Sequence, residues 1–373
     1  MDTQILKKAF EKNFKSHGEL GASVSIWKDG EELFSMANGW MEKSSVSPWG
    51  GDTLVPFYSA TKGLAAATVL LLLEENGLTP DDLVCRVWQR FPNNSATFSE
   101  LLSHQCGLAA LDKKVSVFEY GEVIEAIESQ QANWDLGDGH GYHPRTYGFL
   151  LDEVVRQLTG SPLGEVFAER IARPLGLELW IGLPECEHSR VATLYPGKMD
   201  KNDLESGFYK EFNTQGSLVQ RAFTSPRGLQ GVHEMNKPAA WMSGLPSMGG
   251  VGTSKGLAKF YQAAIGAIPH FSEDVLEWMR TEVICGDDRV LMTPTRFSCG
   301  FQLDPLGADG KKIRHNYGDS INAFGHPGAG GSHAFGDPST GVSFAYTMNQ
   351  MDLSVLPGVK CTSLIEALRQ ALA

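Results

Sequence analysis

Phe57-Tyr58-Ser59-Ala60-Thr61-Lys62-Gly63 runs directly into an apolar segment, Leu64–Leu73, that carries on to Asn76 and Gly77. Ser59 and Lys62 stand three positions apart. On a helix that spacing puts both on one face, where hydroxyl and amine can meet. A helix is expected from about Ser59 to Asn76, because Gly77 suits the position after a helix end and Pro80 lies just beyond. The start of such a helix offers unpaired N–H groups and the positive end of a dipole, both useful to a developing oxyanion. A serine there becomes a nucleophile when a neighbouring base takes its proton, and a lysine held neutral is such a base. An ordinary lysine, with a pKa of about 10.4, is charged at pH 7, and neutralising it costs roughly 4–5 kcal/mol. Burial lowers that cost.

A Ser-x-x-Lys match is common by chance, and the chain holds a second one, Ser25-Ile26-Trp27-Lys28. Its surroundings read as a strand. Ala22–Lys28 and Glu32–Trp40 form two strand-like runs joined at Asp29-Gly30, a strong hairpin signal. Positions three apart on a strand point to opposite faces, so Ser25 and Lys28 cannot cooperate. Only Ser59 and Lys62 remain as a pair.

Outward from this pair, residues 4–16 show helical spacing of Ile5, Leu6, Phe10 and Phe14. From about 83 to 240, helical patterns at Ser99–Ser103, Val117–Gln131, Tyr147–Leu158 and Leu163–Ala172 alternate with loops rich in Gly, Pro and Asp. A helix over Lys255–Ile268 follows. Strands are expected at Ser298–Leu303, His333–Phe335 and Val342–Met348, and a last helix at Thr362–Ala371. Helix and strands at both ends thus enclose a helical insertion. The expectation is an α+β fold with a discontinuous domain, 1–82 and 241–373, around a mainly helical domain, 83–240.

The totals bound the function classes. The chain has 373 residues, with 42% apolar, 20% charged and a net charge of −12, ordinary for a soluble globular protein. That acidity argues against nucleic acid or an anionic membrane as partner. No apolar run approaches the roughly 20 residues that span a bilayer. Met1-Asp2-Thr3-Gln4 leads into Lys-rich amphipathic sequence without a signal-peptide core. The six cysteines show no metal-like spacing, so free, mostly buried thiols in a reducing compartment are expected, and with them a cytoplasmic location.

Two further stretches carry chemistry. His140-Gly141-Tyr142-His143-Pro144-Arg145 crowds imidazole, phenol and guanidinium ahead of a helix start. Asp138, His140 and His143 are conceivable ligands, but three donors on one loop are a thin basis, and neither metal nor cofactor is expected. Phe324-Gly325-His326-Pro327-Gly328-Ala329-Gly330-Gly331-Ser332 has the small residues that let a backbone approach a ligand closely; taken locally it also reads as a flexible turn. Gly249-Gly250-Val251-Gly252-Thr253-Ser254-Lys255-Gly256 lacks the Gly-Lys-Ser/Thr order of a phosphate loop. The absence of any Gly-x-Ser-x-Gly removes the nucleophile elbow of α/β-hydrolases.

Taken together, these stretches resemble the serine β-lactamase/penicillin-binding-protein superfamily, in its class C-like branch with the family VIII carboxylesterases. The resemblance covers nearly the whole chain. Tyr58-Ser59-Ala60-Thr61-Lys62-Gly63 is similar to its nucleophile motif, and Leu101-Leu102-Ser103-His104-Gln105-Cys106-Gly107-Leu108 to its Leu-Leu-x-His-x-x-Gly-Leu segment. Tyr142-His143 through Thr159-Gly160 resembles the tyrosine loop and following helix, and Ser247–Leu257 the Gly-rich turn and helix before the last strands. His326-Pro327-Gly328 falls where the family carries Lys-Thr-Gly or His-x-Gly. The chain departs by having no Tyr-x-Asn; an ungapped count would put His143 rather than Tyr142 at the tyrosine position. Ser320-Ile321-Asn322 comes too late in the chain to replace that motif.

The resemblance implies a β-lactamase/transpeptidase-like fold, an antiparallel sheet flanked by the terminal helices. It implies acyl transfer, with Ser59 as nucleophile and Lys62 with Tyr142 as general base. The N–H groups of Ser59 and Ala329 would form the oxyanion hole, and His326, Gly328 and His143 would contact substrate. Loss of Asn and of the Lys of Lys-Thr-Gly favours a small-molecule ester over a β-lactam. A β-lactamase or D-Ala-D-Ala peptidase is the alternative enzyme, and a catalytically silent scaffold the alternative without catalysis. Phe118, Tyr120, Trp134 and Phe223 are the candidate pocket residues.

Overall fold

A computed structural model describes residues 2–198 and 207–372. Its strands are β1 (Gly21–Lys28), β2 (Glu31–Gly39), β3 (Val55–Pro56), β4 (Leu179–Ile181), β5 (Gly250–Gly252), β6 (Ile284–Asp287), β7 (Pro294–Phe297), β8 (Gln302–Leu303), β9 (Phe324–Pro327), β10 (His333–Asp337) and β11 (Val342–Met348). Eight form one sheet in the order β2-β1-β11-β10-β9-β8-β7-β6, and β3-β5-β4 form a small second sheet. Every pairing within them is antiparallel. The α+β fold with a sheet built from both ends of the chain is as expected.

The large sheet is covered on both faces, which explains why β1 is buried almost throughout instead of alternating. Ala22, Val24 and Ile26 share a core with Leu6 and Phe10 of the first helix (Thr3–Ser16) and with Leu364, Ile365 and Leu368 of the last (Val359–Leu372). Burying each such side chain contributes on the order of 2 kcal/mol. Asn13 Nδ2 donates to the Lys360 carbonyl at 2.9 Å and ties the terminal helices together. The opposite face packs on the helix Ser254–Ala264, with Ser343 Oγ donating to the Ala258 carbonyl at 2.7 Å. β2, at the edge, alternates between exposed and half-buried residues.

The Ser59–Lys62 segment feeds a helix over Thr61–Glu75 whose residues are apolar all round and buried on nearly every side. It packs against the helices Thr146–Thr159 and Glu273–Arg280 and against β9. Its apolar residues belong to one continuous cluster reaching from Trp27 to Ala345, through both the sheet and the helical segment. Of the expected helical range 83–240, residues 199–206 lie outside the described residues.

Several expectations are corrected. The strand at Ser298–Leu303 is instead β7 ending at Phe297, a turn at Ser298–Gly300, and β8. Leu163–Ala172 is a helix over Leu163–Phe167 that widens into a π turn at Ala168–Ala172. Val117–Gln131 shortens to Tyr120–Glu128. Cys106, Cys299 and Cys361 are buried free thiols, whereas Cys186 and Cys285 are exposed. Among the described residues no helix is long and apolar enough to cross a membrane.

Candidate active site

The turn that carries Ser59 is held from behind by the small sheet. Phe57 N–H donates to the Gly250 carbonyl at 3.0 Å. Tyr58 adopts φ +46°, a left-handed conformation costing a non-glycine residue about 1–2 kcal/mol. Thr61 Oγ1 donates to the Tyr58 carbonyl at 2.5 Å and accepts from the Gly250 N–H at 2.9 Å, which holds the elbow in place. The helix begins at Thr61 rather than Ser59. The pairing survives because Lys62 N–H donates to the Ser59 carbonyl at 2.9 Å and closes the turn.

Lys62 is fully buried, and its Nζ lies 3.1 Å from Ser59 Oγ, 3.0 Å from the Pro144 carbonyl and 2.7 Å from the Ser247 carbonyl. Among the described residues no carboxylate pairs with it. Burial pushes its pKa well below the ordinary lysine value, and the neighbouring Arg145 guanidinium pushes in the same direction. Carbonyl oxygens only accept. When neutral, the amine has its two hydrogens taken by Pro144 and Ser247, which leaves its lone pair for the Ser59 hydroxyl.

Tyr142 and His143 part company. The Tyr142 phenol faces Ser59, whose hydroxyl favours its ionised form, and Lys62 Nζ sits 4.7 Å from the centre of its ring. Burial drives the Tyr142 phenol far above its usual range, against the pull of the Ser59 hydrogen bond, so it stays protonated. His143 instead donates from Nδ1 to the Gly141 carbonyl at 2.7 Å, and its Nε2 accepts from the Leu108 N–H at 2.9 Å. Both ring nitrogens are taken by backbone. Its ring thus stitches the tyrosine loop to the Leu101–Leu108 segment. His104 completes the seam, accepting the His143 N–H on Nδ1 at 3.2 Å.

The opposite wall is β9, not a flexible turn. Gly328 lies so close to Phe57 that a Cβ there would sit 2.1 Å from the Phe57 carbonyl oxygen, so this approach admits glycine alone. Gly328, Gly330 and Gly331 donate their N–H groups to Ser332, Ser354 and Gly328 carbonyls. Among the described residues the N–H groups of Ala329 and Ser59 have no protein acceptor. His326 Nδ1 lies 2.8 Å from the Pro327 carbonyl, which fixes the proton on that nitrogen. Its Nε2 is buried without a protein partner, and its ring centre is 6.0 Å from that of Tyr142. Burial lowers the pKa of this imidazole and keeps it neutral.

The dismissed pair behaves as expected: Ser25 is buried and accepts from Trp27 Nε1 at 3.0 Å. The four candidate pocket residues divide. Phe118 and Tyr120 line a cavity of about 600 Å³ with Phe149, Met242 and Leu245, whereas Trp134 and Phe223 belong to the aromatic cluster around Tyr142. His140 lies on Thr295 at 2.6 Å, and among the described residues no group of His, Cys, Asp and Glu gathers as a metal site. Groups that sequence reasoning missed are the carbonyls of Pro144 and Ser247 and the carboxylate of Asp288. A carbonyl leaves no side-chain signature, and Asp288 stands 146 positions from the tyrosine it touches.

The Beta-lactamase family profile matches residues 6–358. Over 362 residues the chain is 26% identical to the esterase/beta-lactamase LipL of Mycobacterium tuberculosis, covering 92% of this chain and 80% of that protein. A solved family VIII carboxylesterase superposes with a TM-score of 0.87 at 30% identity, over 98% of this chain and 96% of that one. A penicillin-binding protein homologue from Caulobacter crescentus gives 0.84 at 30% identity, over 100% and 98% of the two chains. With a match that spans almost its whole length, the chain belongs to the beta-lactamase family and is a hydrolase of that fold.

Proposed function

We propose that this hydrolase cleaves small carboxylic esters through an acyl-enzyme on Ser59. The observation that carries the reading is the environment of Lys62, an amine depressed by burial and aimed at Ser59 Oγ across 3.1 Å. In the first half-reaction the Ser59 proton passes to Lys62 Nζ as Oγ attacks the ester carbonyl. The oxyanion takes the N–H groups of Ser59 and Ala329, worth about 3–4 kcal/mol per donor in comparable sites. The C–O bond then breaks, and the proton returns through the Tyr142 hydroxyl to the departing alkoxide. In the second half a water gives its proton to the Lys62–Tyr142 pair, attacks the acyl carbon and releases Ser59 with its proton restored.

Ester rather than β-lactam is favoured by the wall at β9. His326 is buried and neutral where a cation would be needed to meet a substrate carboxylate. The name of the Mycobacterium relative joins both activities, so nitrocefin and p-nitrophenyl butyrate belong in the same assay. Turnover of p-nitrophenyl butyrate is expected, with nitrocefin far slower. Purified Ser59→Ala should be inactive on both, and a variant as active as the wild type would contradict the reading.

A further inference from the structure

Asp288 lies at the tip of the β6–β7 hairpin, with its side chain completely buried. It makes no ion pair with Lys or Arg among the described residues. Its two carboxyl oxygens both accept from the Tyr142 N–H, at 3.0 and 3.1 Å. Oδ1 also accepts from the N–H groups of Val290 at 2.9 Å and Leu291 at 2.8 Å, and Oδ2 from Thr295 Oγ1 at 3.1 Å. Thr295 in turn meets His140 Nε2 at 2.6 Å. Every polar group at hydrogen-bond distance from the carboxyl is a donor, which matches an ionised acceptor. Burial raises the Asp288 pKa, and the N–H groups of Leu291 and Tyr142 act against it. His140, 3.9 Å away, and the neighbouring Asp287 and Arg289 are the other charged or titratable groups near it.

The contact is built from both sides. Arg289 N–H donates to the His140 carbonyl at 3.1 Å, and the Arg289 guanidinium to the Asp138 carbonyl at 2.6 Å. Val290 and Leu291 pack in the same apolar cluster as Tyr142, Trp134 and Phe297. A Cβ on Gly141 would stand 3.2 Å from Arg289 Cβ and from Val290 Cγ2, so the hairpin tip closes on the loop where glycine leaves room.

We propose that Asp288 is a positioning residue for the hydrolytic reaction, its carboxylate pinning the Tyr142 main chain so that the phenol stays against Ser59 and Lys62. The carboxylate acts through Tyr142 and touches no reacting atom. The inference rests on the acyl-enzyme reading above. A phenol that drifts by about 1 Å is expected to cost as much as 10²-fold in turnover.

The test is steady-state hydrolysis of p-nitrophenyl butyrate by the full chain. Asp288→Asn keeps the side-chain shape but turns an amide N–H₂ toward donors. It should lower kcat at least about tenfold with KM within about twofold. Combined with Tyr142→Phe it should add nothing to the loss from Tyr142→Phe alone, because the two act as one unit. Thr295→Val, a milder change, should lower kcat in the same coupled way, and Thr295→Ser should restore it. If Asp288→Asn does not fold, the Thr295 pair decides. Wild-type kcat in Asp288→Asn or Thr295→Val, or losses that multiply with Tyr142→Phe, would overturn the assignment. An inactive Ser59→Ala beside a fully active Asp288→Asn overturns this assignment alone, whereas an active Ser59→Ala overturns the acyl-enzyme reading beneath it.

Discussion

Lys62 Nζ lies 3.1 Å from Ser59 Oγ, and its other two neighbours are the carbonyls of Pro144 and Ser247. Burial, with the Arg145 guanidinium beside it, holds the pKa of this amine well below the usual lysine value, so deprotonating it costs less than for an exposed lysine. Activity is therefore expected to fall as pH drops and Lys62 gains a proton, with the limb lying well below the pH at which an ordinary lysine titrates. Lys62→Arg introduces a guanidinium that does not deprotonate, and it should lower kcat by at least about 10²-fold at every pH. A pH–rate profile of both enzymes checks the pair.

Arg145 is a buried cation that donates to the carbonyls of Pro226, Leu229 and Gly228. Its charge lowers the Lys62 pKa, so removing it raises that pKa. Arg145→Met should move the acid limb of kcat/KM to higher pH, and Arg145→Lys, which keeps the charge, should move it less. The methionine variant should also be less stable, by about 1–3 kcal/mol for each carbonyl left unpaired. An acid limb that stays in place in Arg145→Met would refute the electrostatic role.

His326 offers a neutral, unpartnered Nε2 toward the site. His326→Ala should reduce kcat/KM by about tenfold, the worth of one hydrogen bond of about 1.4 kcal/mol, and leave the Ser59 nucleophile reactive. Kinetics on p-nitrophenyl butyrate measure it. A loss as deep as that of Ser59→Ala would give His326 a part in the chemistry itself.

Away from the site, Glu19 is buried beside Tyr346, with Lys360 Nζ 3.5 Å from Oε1. Burial raises its pKa to about 7, against the pull of Lys360 and the Tyr346 hydroxyl. The native state thus holds a proton that the unfolded chain releases near its lower, ordinary pKa. This contribution is complete below about pH 4.5 and is lost as pH rises through about 7, up to about 3 kcal/mol in all. Glu19→Gln should gain in Tm relative to the wild type between pH 5 and pH 8. Melting curves at the two pH values give the difference.

The pairing of Ser59 with Lys62, the opening hairpin and the two terminal helices were legible because each rests on a local period or a turn residue. The structure moves the helix start from Ser59 to Thr61, yet the spacing still holds through a hydrogen-bonded turn. β3, β4 and β5 were not legible, since two or three residues carry no periodicity. β9 was hidden by its composition: Gly325, Pro327 and the glycines that follow read as a loop until β8 and β10 pair on either side. The choice between Tyr142 and His143 also lay beyond the sequence. The two rings are placed by distant partners, Leu108 for His143 and Lys62 for Tyr142.

Ser59 Oγ is the atom proposed to become acylated. Incubation with a fluorophosphonate probe, followed by intact-mass and peptide mass spectrometry, tests that directly. One adduct per chain is expected on the peptide bearing Ser59, absent from Ser59→Ala and much slower to form in Lys62→Arg. An adduct at another serine, or equal labelling of Ser59→Ala, would contradict the account.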